Sequence, residues 1–233
     1  MSEAESPTAI GPQAYAGWRA TTLGTITEAI EHRVVLDMMG GLVGIRLLDV
    51  GCGDGMLICT AAVRGAMVTG IDADPAMLAA ARQRMAQAGL EATLREGRVE
   101  ELPFPDASFD VVISVTVLCF VGDTEHALRE MARVLRPGGR LVIGELGRWS
   151  TWAALRRVRG WLGSTTWRAA RFRTPGELRT LVQEAGLSVT AIQGAVYYPP
   201  ANLLARLLAP LDPWLGRLTR FGAAFIVLGA VKP

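Results

Sequence analysis

Residues 47–55 read Leu47-Leu-Asp-Val-Gly-Cys-Gly-Asp-Gly55, an apolar strand running straight into a turn with a glycine at every second position. A second apolar stretch, Met67-Val-Thr-Gly-Ile71, ends on Asp72. Open parallel α/β sheets bind their ligands in the crevice beyond the carboxyl ends of the strands. A glycine turn on one strand and an acid on the next therefore describe a nucleoside crevice. Gly51 and Gly53 permit a tight turn and let backbone approach a ligand where a Cβ would collide. The Asp72 carboxylate can accept two hydrogen bonds from a ribose diol.

Glycine spacing then separates two ligand classes. A dinucleotide fingerprint is G-x-G-x-x-G, whose third glycine lets helix and strand pack closely. Here Gly51, Gly53 and Gly55 form G-x-G-x-G, and Met56 stands at the dinucleotide position. Asp54 within the turn would repel a pyrophosphate. A ligand carrying an ammonium and a sulfonium fits better, because Asp49 and Asp54 place negative charge beside it.

The turn resembles motif I of the class I S-adenosylmethionine-dependent methyltransferases, of the small-molecule type, and the resemblance extends from about Tyr15 to about Gly144. Gly70-Ile-Asp-Ala-Asp-Pro-Ala-Met77 is similar to the family's second motif, whose acid holds the ribose. Gly97-Arg-Val-Glu-Glu-Leu-Pro-Phe104, followed by Phe109-Asp-Val-Val-Ile-Ser114, looks like the segment that lines the adenine and enters the fourth strand. Val134-Leu-Arg-Pro-Gly-Gly-Arg-Leu-Val-Ile143 looks like the connection into the fifth strand. One glycine motif is weak evidence; four segments in family order are not.

The resemblance implies S-adenosyl-L-methionine as cofactor and a set of contacts: Asp49, Gly51, Cys52, Gly53, Asp72, Ala73, Met77, Val99, Glu100 and Val115. Asp49 would meet the ammonium, Asp72 the ribose, Met77 the adenine face and the Val99 amide the adenine ring. Ser114 and Val115 would form a wall through their backbones. Arg98 departs from the pattern. It stands where the family often has an aspartate, and arginine has no acceptor for the adenine amino group, so that contact is absent or passes to Glu100 or a backbone carbonyl. Tyr15 and Trp18 either fold over the cofactor, as in similar family members, or simply pack.

Bulk properties suit one soluble α/β domain. At 233 residues the chain can build a full core, and a formal charge of +2 does not announce nucleic acid. The N-terminus lacks an apolar signal region, and Ala223–Val231 is too short to cross a bilayer. Cys52, Cys59 and Cys119 show neither disulfide nor zinc spacing, so no metal is expected. These features point to the cytoplasm. Lys232 is the only lysine, which reads most simply as a background bias towards Ala, Gly and Arg.

The element pattern begins with a disordered stretch, 1–14, and a single domain over 15–233. Ile26, Ile30, Val34 and Met38 recur at helical spacing before the Gly40-Gly41 breaker. Strands and helices then alternate: strands at 45–50, 67–71, 92–95, 109–114 and 140–145, with helices at 56–64, 75–88 and 124–135. Such alternation implies right-handed crossovers and a parallel sheet covered on both faces. A helix at 175–185 and strands at 187–196 and 221–231 close the pattern. The family resemblance implies seven strands in the order 3-2-1-4-5-7-6, with only the last antiparallel.

Two insertions stand outside this plan, near 146–174 and 197–219. From Leu146 to Gly176 there are four tryptophans and seven arginines but no acid. The second, which begins Tyr197-Tyr-Pro-Pro200, is rich in leucine. Three readings are open: a lid over an apolar acceptor, the packed core of a small helical subdomain, or docking on a membrane surface, since basic residues with Trp and Leu mark interfacial helices.

No general base stands out, so the catalytic residues remain unassigned. His126 reads as a helix flank and His32 as part of the leading helices, while Glu145 at the end of the fifth strand reads as bonding nearby amides. Nothing close in sequence would activate Cys119. In-line placement of an activated methyl can provide much of the rate without a base. The expected activity is methyl transfer to a small, largely apolar acceptor. A catalytically silent cofactor-binding or membrane-docking module is the alternative. RNA methylation lacks its N-P-P-Y or D-P-P-Y tetrapeptide, since Ser114-Val-Thr-Val117 stands there, and an NAD dehydrogenase lacks the glycine spacing. Oligomeric state has no signature.

Overall fold

The structure is a computed structural model, and it describes residues 11–233. Two helices, α1 (Pro12–Arg19) and α2 (Thr22–Met39), precede the sheet. Then follow β1 (Arg46–Val50), α3 (Met56–Val63), β2 (Met67–Asp72), α4 (Pro75–Gln87), β3 (Thr93–Glu96), β4 (Phe109–Val115), α5 (Thr124–Val134) and β5 (Leu135–Leu146). The first insertion forms α6 (Thr151–Trp161) and α7 (Thr165–Ala169), leading to α8 (Pro175–Glu184) and β6 (Ser188–Ala195). The second forms α9 (Asn202–Leu208), a 3₁₀ turn (Ala209–Leu211) and α10 (Asp212–Leu218) before β7 (Phe225–Val231).

The sheet order is β3-β2-β1-β4-β5-β7-β6, with β7 antiparallel to both neighbours and every other pairing parallel. This is the order the resemblance implied. Burial on both faces explains why the central strands are nearly all apolar. Leu47 of β1 belongs to the core on one face, with α2, α3 and α4, while Leu48 belongs to the core beneath α5 and α8. On α2 the buried stripe runs through Ile30, Val34, Val35 and Met39, each contributing about 1.5–3 kcal/mol. Ile26 and Met38 pack only partly against it.

Local chemistry sets the ends of the helices. Asp74 caps α4, accepting from the Ala76 amide at 2.8 Å, with Pro75 at the first helical position. Thr174 and Glu177 form a reciprocal capping box on α8. Lys232 is more than compositional background: its Nζ donates to the carbonyls of Ala132 and Leu135 at 2.7 and 2.8 Å, closing the end of α5.

Two boundaries differ from the sequence expectation. Of the stretch 1–14 expected to be disordered, residues 1–10 lie outside the described residues, and 12–14 are helical because Pro12 opens α1 at a position where its missing N–H costs nothing. β5 starts at Leu135, which pairs with Phe109, and Pro137-Gly138-Gly139 is absorbed as an irregularity within the strand. Among the described residues no helix is long and apolar enough to cross a membrane.

Candidate active site

β1, β2 and β4 end together, and beyond them opens a cleft of about 360 Å³. All ten residues named from the sequence line it, whereas Ser114 does not: it is fully buried and its Oγ has no partner among the described residues. The glycine turn after β1 is built by close packing. A Cβ on Gly55, which has φ +79°, would lie 2.9 Å from Ala81 of α4. Gly53, at φ +54°, faces open space, so its backbone is free to meet a ligand. The turn is tied to β2 by the Gly51 and Cys52 amides, which donate to Ile71 O at 2.7 and 3.0 Å.

Asp72 holds the same turn from the side. Its Oδ2 accepts from the Gly53 amide at 2.8 Å and its Oδ1 from the Asp74 amide at 2.9 Å. Burial raises its pKa, and those amides oppose the rise. Asp49 differs. It is buried, lines the cleft, and accepts no side-chain hydrogen bond among the described residues. Burial, with the neighbouring Asp72 charge added, pushes its pKa up to about 8. The carboxylate is short of a positive partner.

Asp54 corrects the sequence reading. Its carboxylate does not project negative charge onto a ligand, because Arg19 of α1 and Arg84 of α4 both reach Oδ2 at 2.5 Å. Arg19 also approaches Glu28 of α2 at 3.3 Å. One acid thus fastens α1 and α4 to the turn. Glu100 is paired with the exposed Arg98 at 3.2 Å.

The cleft also holds residues the sequence reading left unassigned. Glu28 and His32 of α2 line it, as do Thr116, Val117, Phe120 and Val121 after β4. Burial, with Arg19 nearby, lowers the His32 pKa to about 4. A histidine one helical turn from an acid in a leading helix gives no sequence signal of a cleft position; only the packing of α2 brings it there. Thr116 adopts φ +55°, a left-handed conformation that β-branched residues rarely take. Such strain gathers at binding sites. Tyr15 lines the cleft, with Arg19 over its ring, while the Trp18 ring meets it at a 38° tilt with centroids 5.8 Å apart.

Glu145 is fully buried outside the cleft, 3.4 Å from Arg173. Burial pushes its pKa up to about 7, against the pull of Arg173 and the neighbouring amides of Cys119 and Leu118. Cys119 is buried too, which raises its thiol pKa well above the ordinary range and keeps it inert. Neither insertion, 146–174 or 197–219, supplies a lining residue to this cleft. Of the four tryptophans of the first, Trp152 is buried in the core and donates to Tyr198 O at 2.8 Å, whereas Trp149 and Trp161 are exposed.

The methyltransferase-domain family profile matches residues 48–143, the span from β1 to β5. A ubiquinone biosynthesis O-methyltransferase of Aeromonas salmonicida is 36% identical over 176 residues, covering 72% of this chain and 73% of that protein. One of Maricaulis maris is 36% identical over 162 residues, covering 67% of this chain and 64% of that protein, so the chain spans just under two thirds of its length. Among solved structures, an S-adenosylmethionine-dependent methyltransferase of Thermotoga maritima, described as a possible histamine N-methyltransferase, superposes with a TM-score of 0.71 at 23% identity, covering 95% of each chain. At that identity the likeness speaks for the fold.

Proposed function

The chain belongs to the methyltransferase-domain family, and on that premise we propose that it transfers a methyl group from S-adenosylmethionine to an oxygen of a small, apolar, hydroxyl-bearing acceptor. The observation that carries this is Asp49: a buried carboxylate facing the cleft without a described partner is matched by the ammonium of that cofactor. Asp72 keeps acceptor capacity for the ribose hydroxyls. The backbone of Gly53 passes beside the ligand, and Met77, Val99 and Glu100 border the adenine. When bound, the cofactor supplies a methyl already activated by positive sulfur.

The rest falls to the protein. Val115 and Thr116 form the wall where methyl and acceptor meet, and Val117, Phe120 and Val121 make that end apolar. His32, which lines the cleft and is neutral at physiological pH, takes the acceptor's proton on this reading. The acceptor's oxygen and its apolar character draw on the relatives named as ubiquinone biosynthesis O-methyltransferases. An acceptor of that kind favours delivery from a lipid phase by peripheral contact with a membrane.

Calorimetry with S-adenosylhomocysteine, followed by turnover of a panel of alkylated catechols and phenols, tests the reading. Tight binding and a methylated oxygen are expected. Tight binding with no product from any acceptor would leave a silent nucleoside-binding module instead.

A further inference from the structure

Large exposed apolar side chains are concentrated in two places. Among the described residues, five lie in 146–174 and seven in 197–221, against four elsewhere. Trp161 is 83% exposed, Leu162 82%, Phe221 77% and Trp214 61%. Side chains this large are seldom left in water as a group unless something covers them.

The two segments meet in space. β5 and β6 are both antiparallel to β7, so their carboxyl ends lie at the same sheet edge, the edge at which the cleft opens. The first insertion leaves β5 there and the second leaves β6 there, and the Trp152–Tyr198 hydrogen bond joins them.

Their charge is one-sided. Residues 146–176 contain seven arginines and no acid, in a chain whose total is +2, so the remainder carries a net −5; two of the seven are paired, Arg173 with buried Glu145 at 3.4 Å and Arg148 with Glu177 at 2.7 Å. In the second segment Arg206, Arg217 and Arg220 face a single acid, Asp212, which is buried and accepts from the Val196 and Tyr197 amides at 3.1 and 2.9 Å. Arg159, Arg168, Arg206 and Arg217 are exposed. A negative surface would attract this edge and repel the rest of the molecule, fixing the approach with the cleft mouth nearest the surface.

We infer that α6, α9 and α10 form a docking surface for an anionic lipid bilayer, with Trp161, Leu162, Trp214 and Phe221 entering the headgroup region and the exposed arginines meeting lipid phosphates. Indole rings suit that depth, and short amphipathic helices with arginine on their flanks lie in the interface without crossing it. This specifies the membrane contact of the proposed function, yet it is read from the surface alone: lipid binding and methyl transfer can fail separately.

The test is co-sedimentation of the full chain with vesicles of phosphatidylcholine alone and of phosphatidylcholine with a quarter phosphatidylglycerol. Binding to the anionic vesicles only is expected, weakening with salt. Arg159→Glu with Arg217→Glu should lower the partition coefficient by about tenfold or more, as should Trp161→Ala with Leu162→Ser. Brominated lipid should quench tryptophan fluorescence in the wild type. All variants should keep wild-type affinity for S-adenosylhomocysteine, which shows that they are folded. Absence of binding to anionic vesicles, or equal binding by the variants, would overturn the inference. So would a solution dimer that the same substitutions dissolve.

Discussion

The Gly53 amide donates to Asp72 Oδ2 at 2.8 Å, so the acid at the end of β2 holds the glycine turn that follows β1. The two sequence features that announce a nucleoside crevice are one hydrogen-bonded unit. Asp72 therefore shapes the turn before any ligand arrives, and under the proposed function it also keeps lone pairs for the ribose.

Asp72→Ala removes both roles. Hydrogen bonds to a charged acceptor contribute about 1.5–3 kcal/mol each, so the Kd for S-adenosylhomocysteine should rise about a hundredfold or more. Asp72→Asn, which keeps one acceptor oxygen, should fall between. Isothermal calorimetry on both variants decides it, and wild-type affinity in the alanine variant would remove the ribose assignment.

Asp49 gives a pH dependence whose sign is fixed. Its folded-state pKa is raised from 3.8 to about 8, so burial costs stability progressively as pH climbs through that window. An ammonium placed against the carboxylate lowers the pKa again, and a proton leaves on binding. Affinity for S-adenosylhomocysteine should therefore strengthen from pH 6 to pH 8, by at most about tenfold per unit. Binding heats should differ between buffers of unlike ionisation enthalpy in the direction of proton release. Asp49→Asn should flatten both effects.

The Arg19–Asp54–Arg84 cluster is predicted to be structural. Asp54 and Arg19 are almost wholly buried, and removing one partner leaves uncompensated charge. Asp54→Ala should cost about 3–5 kcal/mol, visible as a lowered urea midpoint. Because α1 carries Tyr15 over the cleft, proteolysis should nick the variant first near residues 12–20. A variant as stable as the wild type would show that the arginines are satisfied by water.

The order of the seven strands was legible through the family resemblance, which the glycine turn, the acid after β2 and the Pro-Gly-Gly connection carry as local signals in a fixed sequence. The ten cleft residues were legible from the same resemblance, and they meet because β1, β2 and β4 end together, with Met77 on the first turn of α4 and Val99 and Glu100 in the loop after β3. Three things were not. Asp54 looked like ligand-facing charge, because its partners Arg19 and Arg84 are 35 and 30 residues away and carry no pattern. His32 read only as part of the leading helices and Glu28 carried no reading, since their cleft position depends on how α2 packs across β5 and β7. The tryptophans of the first insertion read alike but divide, Trp152 buried and Trp161 exposed, because burial there depends on contact with a second insertion some fifty residues on.

His32 has its Nε2 3.8 Å from Glu28 Oε1, and Glu28 is in turn held by Arg19. Tyr15 lines the same cleft. Burial and the Arg19 charge favour neutral imidazole, with Asp54 opposing them, and the pKa falls from 6.5 to about 4. The stability linked to this neutrality is fully present above pH 6.5 and is lost as pH falls towards 4. So weak a base is still competent here. As a hydroxyl oxygen bonds to carbon its proton becomes far more acidic, and the imidazole need accept it only late in the transfer. His32→Gln should lower kcat by about a hundredfold while leaving the Kd for S-adenosylhomocysteine within about twofold. The His32 ring resonances should titrate below pH 5 in the free protein. Unchanged kcat in that variant would move the proton to solvent and reduce His32 to a packing residue.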